Sequence, residues 1–193
     1  MRRREIKVPT NPARRNRALL GHFRKAIENY TDGDLVEFRL PSDDMGKWYA
    51  LLRNLAGEDD EFNNGEYIVE LIAPPSYPDD PPEFYFYTPN GVYIPHKKVC
   101  VDMGLEHTGN YPATLGMAGF TRVLAGGIIS WKDLGNGRHL SYTSVDQKKQ
   151  YARDSSLYNY EKYPEIMALF DEASPVPEKP SRGGKKERSL PDS

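Results

Sequence analysis

Four apolar runs follow one another between residues 35 and 89: LVEFRLP, WYALLRNLAG, EYIVELIAP and EFYFYTP. The separators PSDDMG, GEDDEFNNG and PSYPDDPP are rich in turn formers, and connections this short make successive strands pair as an antiparallel meander. In the first run Val36, Phe38 and Leu40 alternate with Glu37 and Arg39, the period of a strand with one face buried. Ahead of the meander, Leu19, Leu20, Phe23, Ile27 and Tyr30 form one apolar stripe at helical spacing from Pro12 onward, and TDGD ends that helix at Gly33. After it, Phe120, Val123, Leu124, Ile128 and Trp131 predict a second helix that covers the sheet. Gly126 and Gly127 weaken that helix by about 1 kcal/mol each relative to alanine, so tight packing or an early end is expected there. WKDLGNGRHLSYTS reads as a loop, and two more helices follow, with Ser144 or Thr143 as the cap of the first and Pro164 near the start of the second.

The resulting class is α+β: an N-terminal helix, a four-stranded antiparallel meander, a loop around the lone cysteine and C-terminal helices. Residues 1–12 read as a flexible basic arm, 13–173 as one core domain, and 174–193 as a disordered tail of proline, glycine, serine and charge. A chain of 193 residues that is 38% hydrophobic suits one core rather than two. A single cysteine forms no internal disulfide, which points to a reducing compartment, cytoplasmic or nuclear. MRRREIKVPT has no apolar run behind it, and VLAGGIISW is too short to span a bilayer, so a soluble chain is expected.

The net charge of −2 hides an asymmetry, because residues 1–25 carry nine Lys and Arg, among them Arg14, Arg15, Arg17 and Arg24, against Glu5 alone. Such a run binds nucleic acid or an acidic protein surface, or is simply a solvated helix face. The basic run lacks an interleaved aromatic stacking motif of the kind a nucleic-acid platform uses.

The cysteine lies in KKVCVDM, between a loop broken by glycine and proline and a second irregular loop. Lys97 and Lys98 favour a thiolate at Cys100, although an extended backbone brings only one of them to the cysteine side. A thiol near its ordinary pKa of about 8.5 is a few per cent ionised at neutral pH, which suits exchange with a thioester better than attack on an unactivated amide. A cysteine protease needs an imidazole base; His96 and His107 are near in sequence, but no protease signature surrounds the cysteine. His22, His96, His107 and His139 show none of the paired spacings of structural zinc, and LGNGRH lacks the lysine of a phosphate loop, so no metal or nucleotide is expected.

Taken together, GEYIVELIAPPSYPDDPPEFYFYTPNG followed by a cysteine resembles the ubiquitin-conjugating enzymes over residues 14–160, with Gly65, Tyr77, Pro78, Pro81, Pro82, Phe86, Thr88, Asn90 and Cys100 in the family's order. TPNGVYIPHKKVC, His107 and LSYTS are most similar to the endoplasmic-reticulum-associated J branch. The resemblance implies that Cys100 accepts ubiquitin from an activating enzyme as a thioester and passes it to a substrate lysine, or to a hydroxyl, with a ligase. ATP is used by the upstream enzyme, so no cofactor of its own is implied. Asn90 is implied to steady the loop or the oxyanion, His107 to accept a proton, and Asp133 to orient the incoming amine. The basic first helix becomes the face for the activating enzyme, which moves nucleic acid down as a partner. The ligase face falls at Tyr77, Pro78, Asp79 and Pro112. An anionic Asp79 where the family carries an apolar residue, and Asn110 where it carries tryptophan, point to a dedicated ligase. A catalytically inactive module of the same fold, binding ubiquitin or a partner, is the alternative. The J branch is anchored by a C-terminal membrane segment; PSRGGKKERSLPDS is polar, so membrane residence is not carried over.

Overall fold

The computed structural model describes residues 11–28, 35–41, 44–99, 113–134 and 143–171. Their order is α1 (Pro12–Glu28), β1 (Val36–Arg39), β2 (Lys47–Leu52), β3 (Tyr67–Ile72), β4 (Glu83–Phe86), β5 (Lys98–Val99), α2 (Gly116–Ile129), α3 (Val145–Lys162) and α4 (Pro164–Asp171), with short 3-10 turns at Ala113–Leu115 and Trp131–Asp133. Pro12 opens α1 where the sequence places it in the arm, since its fixed φ suits a first helical position. Most of the expected arm and all of the expected tail lie outside the described residues.

The strands pair antiparallel in chain order. Trp48 faces Leu71, Leu71 faces Phe84 and Phe84 faces Val99, so one apolar row crosses four strands. The four expected strands are present and a fifth, two residues long, joins β4 directly before Cys100. Two residues carry no period, which hides such a strand in a sequence.

The period of two sorts the sheet into faces. Val36, Phe38, Trp48, Ala50, Leu52, Tyr67, Val69, Leu71, Phe84 and Phe86 point into the main core with Leu19 and Phe23 of α1 and Phe120, Leu124 and Ile128 of α2. Phe23 and Phe38 meet Trp48 edge-on at 5.0 and 6.1 Å. On the other face Tyr49, Leu51 and Ile68 are covered by Met167 and Phe170 of α4. Glu37, expected on an open face, is therefore buried, and it survives there because Arg39 and Arg53 both pair with it. Arg39 also donates to the Leu169 carbonyl at 2.9 Å, tying β1 to α4.

Two expectations for α2 resolve differently. Val123 turns partly to solvent, and Trp131 lies beyond the helix end in its 3-10 turn. Gly127 is tightly packed: a Cβ there would come within 2.6 Å of the Tyr93 hydroxyl, whereas one on Gly126 would meet open space.

The buried side of α3 carries Lys148, Ala152, Ser155 and Asn159, a polar stripe at helical spacing. Ser155 Oγ accepts from Glu66 N at 2.8 Å and donates to the Ala152 carbonyl. Asn159 Oδ1 accepts from Thr88 Oγ1 at 2.6 Å, and its Nδ2 donates to the Glu66 carbonyl at 3.0 Å. Thr88 Oγ1 in turn accepts from Ile68 N, so α3 is docked to the sheet by hydrogen bonds where α1 and α2 use apolar contact. Ser144 caps it, accepting from Gln147 N at 3.1 Å.

Candidate active site and docking face

Asn90 sits in the turn after β4 and is fully buried. Its Oδ1 accepts from Val92 N at 2.9 Å and Tyr93 N at 2.8 Å, and its Nδ2 donates to the Thr88 carbonyl at 3.3 Å. The whole amide is thus committed to its own turn. Gly91 follows at φ +77°, a left-handed conformation suited to glycine. A side chain there would also press on Lys148 Cγ at 2.7 Å. Tyr93 stacks on Phe86 with centroids 4.7 Å apart, pinning the far end of the turn to β4. Beyond it, His96 adopts φ +58° and its Nε2 lies 2.9 Å from the Tyr163 hydroxyl, at the junction of α3 and α4. Cys100, His107 and Pro112 lie outside the described residues.

Asp133 is exposed in the 3-10 turn after α2. That turn is held by its neighbours. Lys132 Nζ reaches Glu58 at 2.7 Å and Asp59 at 3.2 Å, and Trp131 Nε1 donates to Glu61 Oε1 at 2.6 Å. Burial pushes the Glu61 carboxyl up, but the indole N–H and the backbone N–H groups of Glu61 and Asp59 outweigh it and leave it below its ordinary value. Lys148 Nζ lies 3.7 Å from the centroid of the Trp131 ring and donates to the Thr143 carbonyl at 2.5 Å. Thr143 Oγ1 donates to the Gly91 carbonyl at 3.0 Å. Asn90 and Asp133, apart in sequence, are therefore linked through Gly91, Thr143, Lys148 and Trp131. None of the last three was a site candidate. A buried lysine on a helix carries no signal in a single sequence that separates it from a solvated one.

The docking candidates converge at the other end of the sheet. Arg14 makes a two-pronged ion pair with Asp79, exposed on both sides, with Nη2 to Oδ1 at 2.8 Å. Arg15 donates to the carbonyls of Ala73 and Pro74 at 2.8 and 3.0 Å, so it serves the fold as well as the surface. Arg17 is exposed and Arg24 half-buried on α1. Tyr77, only 2% exposed, turns inward: its hydroxyl is 2.5 Å from His22 Nδ1, and its peptide bond to Pro78 is cis. Burial and the nearby Lys25 charge push the His22 ring below its ordinary pKa. Tyr77 thus anchors the turn to α1, while Pro78 and Asp79 form its outer edge.

An α+β core with an N-terminal helix, a sequential antiparallel sheet and C-terminal helices is that of the ubiquitin-conjugating enzymes. Curated relatives agree. Ubiquitin-conjugating enzyme E2 34 of Arabidopsis thaliana is 28% identical over 137 residues, 71% of this chain and 55% of that one. Ubiquitin-conjugating enzyme E2 6 of Schizosaccharomyces pombe is 22% identical over 167 residues, 79% of this chain and 67% of that one. Human ubiquitin-conjugating enzyme E2 J1 is 31% identical over 72 residues, 37% of this chain and 21% of that one. No family model matches. These similarities support a member of the ubiquitin-conjugating enzyme family, with J-type enzymes among the proteins it resembles. It spans about half the length of the Arabidopsis relatives, 55% and 49% of them. No helix among the described residues is long and apolar enough to cross a membrane.

Proposed function

We propose that this chain is an active ubiquitin-conjugating enzyme, with Cys100 as the nucleophile. Cys100 Sγ takes the C-terminal carbonyl of ubiquitin from the activating enzyme as a thioester. A substrate amine then attacks that carbon: the N–C bond forms, the C–S bond breaks, the sulfur leaves as thiolate and the amine loses a proton, for which His107 is the proposed acceptor. Because the thioester is already activated, the protein's task is to position the partners. The observation that carries this reading is the locked Asn90 turn, a fully buried amide with both ends satisfied, leading into β5, the last described element before Cys100. This geometry supports the loop-steadying role for Asn90 over direct contact with the oxyanion. Asp133, on the outside of a braced turn, suits the orientation of an incoming amine.

The exposed basic residues of α1 suit docking of an activating enzyme through an acidic surface, an arrangement that speeds encounter. The Arg14–Asp79 pair places a charged couple at the turn proposed to meet a ligase, which favours a dedicated ligase over those that seat an apolar residue. Against a panel of RING-type ligases, one specific partner should bind and the rest should not.

The test is a charging reaction with activating enzyme, ATP and ubiquitin, resolved on reducing and nonreducing gels. A thiol-labile adduct that is lost in Cys100→Ala and replaced by a thiol-stable ester in Cys100→Ser supports the enzyme. No adduct with ubiquitin or a related modifier leaves the alternative, an inactive binding module of the same fold.

A further inference from the structure

Lys148 is fully buried, an unusual state for an ammonium, and it is met by groups from three separate segments. From the turn after α2, the Trp131 ring lies under Nζ at 3.7 Å. From the start of α3, Thr143 offers its carbonyl at 2.5 Å and its hydroxyl oxygen at 3.3 Å. From the turn before β5, the Gly91 backbone leaves room for the lysine stem, which any Cβ would strike. The charge that faces Lys148 is Glu61, held at the N–H edge of the indole. A cation over the face of a tryptophan and an anion at its N–H edge polarise the ring in the same sense, so the two interactions reinforce each other. Burial pushes the Lys148 ammonium below its ordinary pKa, and the Glu61 charge partly restores it.

We propose that Lys148 is a positioning residue for acyl transfer: through Trp131 on one side, and through Thr143 and Gly91 on the other, it holds the Asp133 turn and the Asn90 turn in fixed relation. The proposal rests on the enzymatic reading above. A plain packing role is served by the lysine stem alone, which methionine supplies. The positioning role requires the charge, because only the ammonium binds the ring face and the Thr143 carbonyl together.

The experiment compares wild type with Lys148→Met, Lys148→Arg and Trp131→Phe, each first shown to be folded by circular dichroism. Two readouts are taken. The first is indole emission against pH, with Trp131→Phe subtracted to remove Trp48. Wild type should show a titration with its midpoint below the ordinary lysine value of 10.5, absent in Lys148→Met. The second separates charging from single-turnover discharge to free lysine. Lys148→Met should charge within about twofold of wild type but discharge about tenfold more slowly, with partial rescue in Lys148→Arg. If Lys148→Met does not fold, Trp131→Phe, which keeps the Thr143 contacts, should still slow discharge more than charging. Discharge at the wild-type rate in the folded variants, or charging and discharge falling in parallel, overturns the proposal. A wild type that does not charge overturns the enzymatic reading and the transfer role with it, while the emission titration still reports whether the ammonium sits on the indole.

Discussion

Replacing Asn90 with alanine removes the acceptor for two backbone donors, Val92 N–H and Tyr93 N–H, at a residue with no solvent exposure. A buried donor left without a partner costs about 1–3 kcal/mol, and water entering the space left by the amide recovers part of that, so about 3 kcal/mol is expected for the pair. For a domain of this size each kcal/mol lowers the melting temperature by about 2–4 °C, which gives a drop of about 6–12 °C by scanning calorimetry. Asn90→Asp keeps the acceptor but sets a carboxyl oxygen against the Thr88 carbonyl, where Nδ2 now donates. Burial raises the pKa of that new carboxyl above its unfolded value. The variant should therefore be least stable at neutral pH and recover as pH falls and the carboxyl is protonated. If alanine left the melting temperature unchanged while abolishing thioester discharge, the loop-holding argument would be refuted and Asn90 would have to act on the reacting carbonyl itself.

Gly91→Ala forces a Cβ into the left-handed region, at about 1–2 kcal/mol, and against Lys148 Cγ; chemical denaturation should show a larger loss than for alanine at Gly126, whose Cβ meets open space. Ser144→Ala removes the cap from Gln147 N and should cost about 1 kcal/mol in the same assay, with Ser144→Asp close to wild type. The Glu61 carboxyl lies below its ordinary value of 4.5, so the stability it contributes is present above that value and lost as pH falls through the folded pKa. Melting curves from pH 6 to pH 3 should fall less steeply for Trp131→Phe, which removes one of the hydrogen bonds holding the carboxyl ionised.

The main face of the sheet is legible because apolar period and burial coincide there: Trp48, Ala50 and Leu52 point into one core, as do Tyr67, Val69 and Leu71. The opposite face is less so. Glu37 and Glu70 look like solvent-facing positions and are buried all the same, because Arg39, Arg53 and Lys47 neutralise them. Pattern alone registers the type of a side chain and not its partner, and besides Arg39 on the same strand the partners come from another strand or from the connection after β2. The same limit explains α3, whose buried stripe of Lys148, Ala152, Ser155 and Asn159 holds one apolar residue and gives helical periodicity nothing to detect.

At the site the division is similar. Asn90 could be singled out because a motif contains it, and its burial is what supports the proposed loop-steadying role over the other that the motif leaves open. Arg14 and Asp79 are separate candidates for separate partners, and their ion pair joins the two proposed docking faces into one surface. That pairing changes the reasoning about Asp79. An unpaired carboxylate repels an apolar pocket through its own desolvation, whereas a carboxylate held by Arg14 must also be stripped from its partner before anything can cover it. A protein that binds this turn therefore has to accommodate Arg14 as well, either by leaving the pair in water at the rim or by offering a carboxylate to the arginine and a cation to the aspartate. Reversing the pair, Arg14→Asp with Asp79→Arg, distinguishes these two solutions. A partner that leaves the pair at the rim should keep its affinity, while one that supplies matching charges should lose it with either single change and with the double.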